Sequence, residues 1–139
     1  MHPFKFVLAL GILMTSSMAG SQPPDQPTTG QKRFAISKEN IRTLVPSLGY
    51  AFATDRIMVE GRKVGYMYRE VSNRADDSGW KYFAGDETQA YVDDLHHTGI
   101  YAVNTVANYD QDIIPYLSSD APCAFEKIPG TNQYRRVKQ

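Results

Sequence analysis

Residues 64–87, VGYMYREVSNRADDSGWKYFAGDE, contain two aromatic segments with strand-like alternation, joined by a polar turn. Strand side chains point alternately to opposite faces, so Tyr66 and Tyr68 share one face of the first segment. The second segment, WKYF at residues 80–83, repeats the pattern. Between them, residues 76–79 (DDSG) have the short polar side chains and the glycine that favour chain reversal. The stretch predicts a β-hairpin.

The rest of the chain predicts short elements on both sides of this hairpin. Ser37 and Asp110 each precede an apolar periodic run and are expected to cap helices. The predicted strands are 33–37, 50–59, 100–103 and a hairpin of 123–128 with 133–137; the predicted helices are 37–44, 86–95 (a short helix or turn) and 111–117. Short strands with hairpin connections indicate an α+β fold: a single small domain with a mainly antiparallel sheet and two or three short helices.

The N-terminal region differs in composition from the rest of the chain. Lys5 precedes an uncharged apolar run at residues 6–14, and small residues follow up to Ala19. This three-part pattern is typical of a secretory signal peptide, and nine apolar residues are far fewer than the roughly 20 that span a bilayer. We therefore predict a signal peptide at 1–19, a flexible linker at 20–31 and the folded domain at 32–139. The mature protein is expected to be periplasmic or secreted, and soluble.

The sequence contains no recognisable catalytic or cofactor motif. Cys123, the one cysteine, has apolar neighbours and is expected to be a buried, unreactive thiol. Carboxylates at 93–94 followed by histidines at 96–97 are possible metal ligands by residue type, but adjacent side chains do not easily face one ion. We predict no metal, no cofactor and no catalytic residues.

The net charge of zero conceals a marked separation of charge along the sequence. Residues 76–112 contain eight acidic side chains and one lysine, whereas residues 32–74 contain nine cations and four acids. An acidic surface attracts a cationic partner and speeds encounter with it. The acidic region therefore indicates a protein partner with a cationic surface and argues against a nucleic-acid ligand.

The same region resembles a known bacterial family. VGYMYRE at 64–70, DSGWKYFAGDE at 77–87, IYAVNTVANYDQDIIPYL at 100–117 and CAFE at 123–126 are similar in order and spacing to the immunity protein 33 family of polymorphic toxin systems. The resemblance implies a non-enzymatic protein that binds a toxin and blocks it. The signal peptide and linker are additions to the family pattern.

The resulting hypothesis is a periplasmic inhibitor that neutralises a cognate toxin through an acidic, aromatic-containing surface. The expected partner-binding residues are Arg69, Asp77, Trp80, Asp86, Glu87 and Tyr91. Two alternatives remain open at this stage: a periplasmic hydrolase that uses carboxylates or a metal, and a structural or sensory module of the envelope.

Overall fold

A computed structural model describes residues 32–139, so the predicted signal peptide and linker lie outside the described residues. The strands of this region are β1 (Tyr50–Thr54), β2 (Tyr66–Arg69), β3 (Asp77–Phe83), β4 (Thr98–Ala102), β5 (Cys123–Lys127) and β6 (Tyr134–Val137). The α-helices are α1 (Asp55–Met58), α2 (Gln89–Asp93) and α3 (Val103–Tyr109), and 3-10 helices occupy Lys38–Asn40, Leu95–His97 and Gln111–Tyr116. Within this region no helix is long and apolar enough to cross a membrane.

The six strands form one sheet in the order β4-β1-β3-β2-β5-β6. Every neighbouring pair is antiparallel except β1 and β3, which are parallel. The connection between these two parallel strands is not the long helix of a βαβ unit. It consists of the short helix α1 and the strand β2, and β2 pairs with the other side of β3. The predicted α+β class with a mainly antiparallel sheet is confirmed.

The two faces of the sheet are covered unequally. The main core lies on one face, where Ile57 and Met58 of α1 and Val103 and Val106 of α3 pack on the sheet around Trp80. The opposite face has a smaller cluster, in which α2 contributes Val92; the sheet residues of this cluster are Tyr68, Phe83 and Ala124. The first face therefore supplies most of the buried apolar area.

The predicted central hairpin is present, but its turn lies earlier than expected. β2 and β3 are antiparallel, with Tyr66 opposite Phe83. Asp77, Ser78 and Gly79, which were predicted to form the turn, belong to β3. Gly79 has φ +81°, and a Cβ at this position would lie 2.1 Å from the Glu70 carbonyl oxygen. The glycine therefore forms an irregularity inside the strand and does not reverse the chain.

The C-terminal predictions agree with the structure. β5 and β6 form the predicted hairpin, with Lys127 opposite Tyr134. Asp110 caps the following helix, because its side chain accepts a hydrogen bond from Asp112 N. That helix is 3-10 rather than α and contains Pro115.

The predicted helix at 37–44 and strand at 33–37 are wrong. Only Lys38–Asn40 are helical, and the next residues run beside α3. There Asn104 Oδ1 accepts hydrogen bonds from Leu44 N (2.7 Å) and Val45 N (3.1 Å), and Asn108 Oδ1 accepts one from Arg42 N. The side chains of two asparagines of α3 thus accept the hydrogen bonds of backbone N–H groups that a helix at 37–44 would have satisfied within itself.

The predicted strand at 50–59 ends at Thr54 and continues as α1. Gly61, with φ +75°, stops this helix, and its N–H donates to the Ile57 carbonyl. The predicted strand at 100–103 begins earlier, at Thr98, and Val103 starts α3, which was not predicted. The predicted turn or short helix at 86–95 contains α2, whose buried residue is Val92. Leu95 lies beyond this helix and is exposed.

A fully buried carboxylate, that of Asp110, connects distant parts of the fold. Asp110 Oδ2 accepts a hydrogen bond from Val64 N (2.9 Å), and Lys127 Nζ lies 3.8 Å away. The Tyr134 hydroxyl donates to the Val64 carbonyl at 2.6 Å and lies 3.3 Å from the same carboxylate oxygen. Oδ1 accepts from Asp112 N at 3.0 Å. Burial, followed by the charge of Asp110, raises the pKa of Tyr134. The carboxylate thus joins the entry to β2, the 3-10 helix and the last hairpin.

We expect Asp110→Ala to lower the free energy of unfolding by about 3 kcal/mol, because it leaves buried donors without an acceptor. The control is Asp112→Ala, which removes a partly exposed partner of the same lysine and should cost about 1 kcal/mol or less. Urea unfolding followed by tryptophan fluorescence measures both values. Equal losses would contradict a special role for Asp110.

Candidate functional site

The structure does not bring the six residues predicted to bind a partner into one group. Asp77 is the first residue of β3, Trp80 is at its centre opposite Arg69, and Asp86, Glu87 and Tyr91 follow its last residue. A seven-residue strand is about 20 Å long, so Asp77 is well separated from Asp86 and Tyr91.

Trp80 and Arg69 have structural contacts. Trp80 is 1% exposed, stacks on Tyr82 and donates from Nε1 to the Leu117 carbonyl. The Arg69 guanidinium lies 5.7 Å from the Trp80 ring and donates to the carbonyls of Ser78 and Ser119, each at 2.8 Å. In this arrangement Trp80 belongs to the core and Arg69 joins β2 to the loop before β5.

Asp77 is partly exposed and shapes the start of β3. Its Oδ1 accepts a hydrogen bond from Gly79 N at 2.8 Å, and its Oδ2 accepts one from the Ser72 hydroxyl at 3.0 Å. These bonds hold the carboxylate in one orientation at the surface.

Glu87 is a second buried carboxylate, 3% exposed. Oε2 accepts hydrogen bonds from the Thr54 hydroxyl (2.8 Å) and Ala84 N (2.9 Å), and Oε1 accepts one from Gly85 N (2.8 Å). Glu87 thus fixes the loop after β3 to the end of β1, and its oxygens are used within the fold.

Asp86 and Tyr91 remain at the surface but have cationic neighbours. Asp86, whose side chain is 51% exposed, forms ion pairs with Arg62 and, at 3.5 Å, with Arg56. The Arg56 guanidinium also lies 5.1 Å from the Tyr91 ring, which stacks on His97. Burial raises the pKa of Tyr91, with a further contribution from Asp55. Cations from the preceding segment therefore offset part of the acidic charge found in the sequence.

The carboxylates and histidines at 93–97 form a local group. Asp94 Oδ1 accepts a hydrogen bond from His96 N, and this bond and that to the His96 ring lower the Asp94 pKa. Across residues 32–139 no three or more His, Cys, Asp or Glu side chains are arranged to hold a metal ion.

A row of side chains crosses the less covered face of the sheet. The strand registers place one residue from each strand in this row, in the order Ile100, Phe52, Lys81, Tyr68, Ala124 and Val137. Lys81 is buried at its centre, with Nζ 2.9 Å from Glu70 Oε2 and 5.6 Å from the ring centroids of Phe52 and Tyr68. At the β4 end Ile100 is 64% exposed, so the row emerges at the surface there.

An open cavity of about 150 Å³, here called the edge cavity, lies at this end of the row. Its lining residues are Tyr50, Ala51, Phe52, Arg74, Asp76, Asp77 and Ile100. Tyr50 is 52% exposed. Asp76 pairs with Arg74 at 3.6 Å, but both side chains are largely exposed, so the pair is weak and can exchange partners. Exposed apolar side chains and two carboxylates therefore share one cavity.

Of the six predicted residues, only Asp77 lines the edge cavity. Tyr50 and Ile100 were not proposed as contacts, although both were placed in predicted strands. Their exposure depends on which part of the sheet face is covered, because Ile100 is on the edge strand β4, Tyr50 is on its neighbour β1, and the cluster on this face lies over other strands. Alternation along a strand does not reveal which neighbours the strand will have.

The family comparison agrees with the resemblance found in the sequence. The profile of the immunity protein Imm33 domain matches residues 51–138, more than half of the chain. The chain belongs to the Imm33 immunity protein family. Every strand of the sheet except the first residue of β1 falls within the matched region of this Imm33 protein. No curated protein and no solved structure matches the chain significantly.

We expect Glu87→Gln in this Imm33 protein to lower the free energy of unfolding by about 2 kcal/mol, because an amide NH₂ would face a buried donor. Asp86→Asn, next to it in sequence but exposed, should change stability by less than about 1 kcal/mol. Urea denaturation of the two variants tests the difference. A Glu87→Gln variant as stable as wild type would show that Glu87 does not hold the loop.

Proposed function

We propose that this Imm33 protein binds and neutralises a cognate bacterial toxin, and that the edge cavity is the centre of the contact. The observation that supports this site is the placement of exposed Tyr50 and Ile100 beside the carboxylates of Asp76 and Asp77. Protein interfaces commonly combine a few aromatic and apolar anchors with charges that guide association.

The size of the edge cavity favours a protein partner over a small molecule. Small-molecule pockets usually enclose about 300 Å³ or more, and this open cavity is about 150 Å³. It suits one protruding side chain of a larger surface. A lysine or arginine fits best, since its aliphatic stem can lie on Tyr50 and Ile100 while its charge approaches Asp76.

We place Asp86 and Tyr91 at the periphery of the same interface. A standard interface covers about 800 Å² on each partner, which is wide enough to extend along β3 from the edge cavity to these residues. Asp77 orients the start of β3, whereas Trp80, Glu87 and Arg69 support the surface from within.

The proposed site of action is the periplasm. The support is the N-terminal pattern of Lys5, the apolar run at 6–14 and the small residues ending at Ala19. An exported inhibitor would meet a toxin delivered from outside before the toxin reaches its target.

Two substitutions separate steering from anchoring at the edge cavity. The partner to use is an inactivated form of the cognate toxin, to be sought among the products of the genes that neighbour the gene for this protein. Asp76→Lys should slow association several-fold at low salt, and the difference should shrink at high salt because ions screen the charge. Tyr50→Ala should chiefly raise the dissociation rate, by about tenfold, because it removes an anchor. Surface plasmon resonance at two salt concentrations measures both rates.

The matched control is Glu39→Lys, which makes the same charge change on an exposed residue outside the edge cavity. It should leave both rates within about twofold of wild type. If Asp76→Lys and Tyr50→Ala also leave the rates unchanged, the edge cavity is not the interface. If the wild-type protein does not bind the toxin, the proposed function is wrong.

Export has its own test. We expect the protein to appear in the periplasmic fraction of the expressing cells with residues 1–19 removed, because the residues before Gly20 have the pattern of a cleavage site. Intact mass measurement of the fractionated protein gives the cleavage position. A full-length protein confined to the cytoplasmic fraction would contradict periplasmic action.

A further inference from the structure

The two edges of the sheet differ in their protection. Edge strands present unpaired backbone groups, and proteins commonly discourage pairing there with charged side chains. β6 has Arg135 and Arg136 within its four residues. β4, with the sequence TGIYA, has no charged residue, and Ile100 at its centre is among the most exposed large apolar side chains of residues 32–139. β4 therefore lacks the charges of the other edge.

The register identifies the backbone groups that point away from the sheet. Val103 N donates to the Gly49 carbonyl at 3.0 Å, which continues the antiparallel ladder of β4 with β1. Hydrogen-bonded and non-hydrogen-bonded pairs alternate in such a ladder, so Tyr101 and Gly99 face β1. The N–H and C=O of Ile100 and the N–H of Ala102 consequently face outward. The Thr98 carbonyl also faces outward and accepts a hydrogen bond from Lys32 Nζ at 3.3 Å.

Apolar side chains accompany these groups on both faces of the sheet. Ile100 projects beside Tyr50 on the less covered face. On the other face Tyr101 makes an edge-to-face contact with Phe34, with ring centroids 5.8 Å apart, and Phe34 is 45% exposed. An incoming strand would thus find apolar contacts for side chains on each of its faces.

The charge beside β4 differs between its two ends. At the Thr98 end, the exposed Asp94 is hydrogen-bonded to His96, and Lys32 Nζ donates to the Thr98 carbonyl. At the other end Asp76 precedes Asp77, which lies at the level of Ala102, because Tyr50 is paired with both Ala102 and Asp77. An apolar segment with a cation at the end that reaches Asp76 is complementary to this edge.

We propose that the outer edge of β4 pairs with an extended, cationic segment of the toxin, which becomes a seventh strand of the sheet beside the edge cavity. The proposal rests on the proposed function and specifies its binding mode: backbone hydrogen bonds to Ile100 and Ala102 join the side-chain contacts of Tyr50 and Ile100.

Ala102→Pro is a specific test of the backbone contact. Ala102 has φ −58°, which proline adopts without strain, and the preceding Tyr101 is in a strand, as a residue before proline prefers. Proline removes an N–H that faces outward, so the pairing of β4 with β1 is kept. The matched control, Ala102→Ser, retains the N–H.

We expect Ala102→Pro to weaken binding of the inactive toxin by about tenfold or more and Ala102→Ser by less than about threefold, as measured by isothermal titration calorimetry. Circular dichroism checks that the proline variant is folded. If it is not, amide exchange in the wild-type complex decides the question: NMR should show slower exchange of the Ile100 and Ala102 amides when the toxin binds.

Three other results would overturn the proposal, each for a different reason. In the first, the wild type and Ala102→Pro bind the toxin with equal affinity, and the Ile100 and Ala102 amides exchange no more slowly in the complex. In that case the protein binds the toxin, but not through the β4 edge. If the free protein sediments as a dimer that Ala102→Pro dissociates, a second copy occupies the edge. If the wild type does not bind the toxin at all, the proposed function fails, and the edge proposal fails with it.

Discussion

The fold depends most on the buried carboxylate of Asp110. This side chain is inaccessible to solvent and connects residues that are far apart in sequence, including Val64 and Tyr134. Placing a carboxylate in the interior is costly unless donors surround it, and here two backbone N–H groups and a lysine do so. The same group caps the 3-10 helix. The entry to β2 and the closing hairpin are thereby positioned by one side chain.

Glu87 has a comparable role at the same end of the central strands, where the entry to β2 lies beside the end of β3. It holds the two residues after β3 and the last residue of β1 with three hydrogen bonds. Both carboxylates come from the acidic region that suggested a cationic partner. Part of that acidic charge is used to satisfy buried backbone groups, and another part is offset by Arg56, Arg62 and Lys127. Only the remainder, including Asp76, is available to a partner.

The sequence predicts an element more accurately when its stabilising contacts are between residues that are close in sequence. Both hairpins were predicted because their pairing is local and their turn residues lie between the strands. The segment around Leu44 was wrongly predicted as helical because its backbone partners are Asn104 and Asn108, about sixty residues away. α3 was missed because valine, threonine and asparagine have modest helix propensity, and packing of Val103 and Val106 against the sheet stabilises it.

The candidate site was predicted less well than the fold for a related reason. Residue type suggested that Trp80 and Glu87 were contacts, yet their burial depends on which elements cover each face of the sheet. The family resemblance could be read from the sequence, because it rests on residue order and spacing. Exposure of Tyr50 and Ile100 could not, because it follows from the place of β1 and β4 in the sheet and from the limited cover of that face.

The unequal covering of the sheet also explains why a binding surface can be rigid here. Along the row from Ile100 to Val137, the central residues Lys81, Tyr68 and Ala124 are buried, and Lys81 Nζ lies over the rings of Phe52 and Tyr68. The exposed end at β4 is continuous with this packed centre, and Ala51 and Ala53 of β1 pack into the main core behind it. A partner that binds at Tyr50 and Ile100 would therefore meet side chains and backbone groups that are already ordered. Less conformational entropy is lost on binding to such a surface, so a larger part of the contact energy appears as affinity.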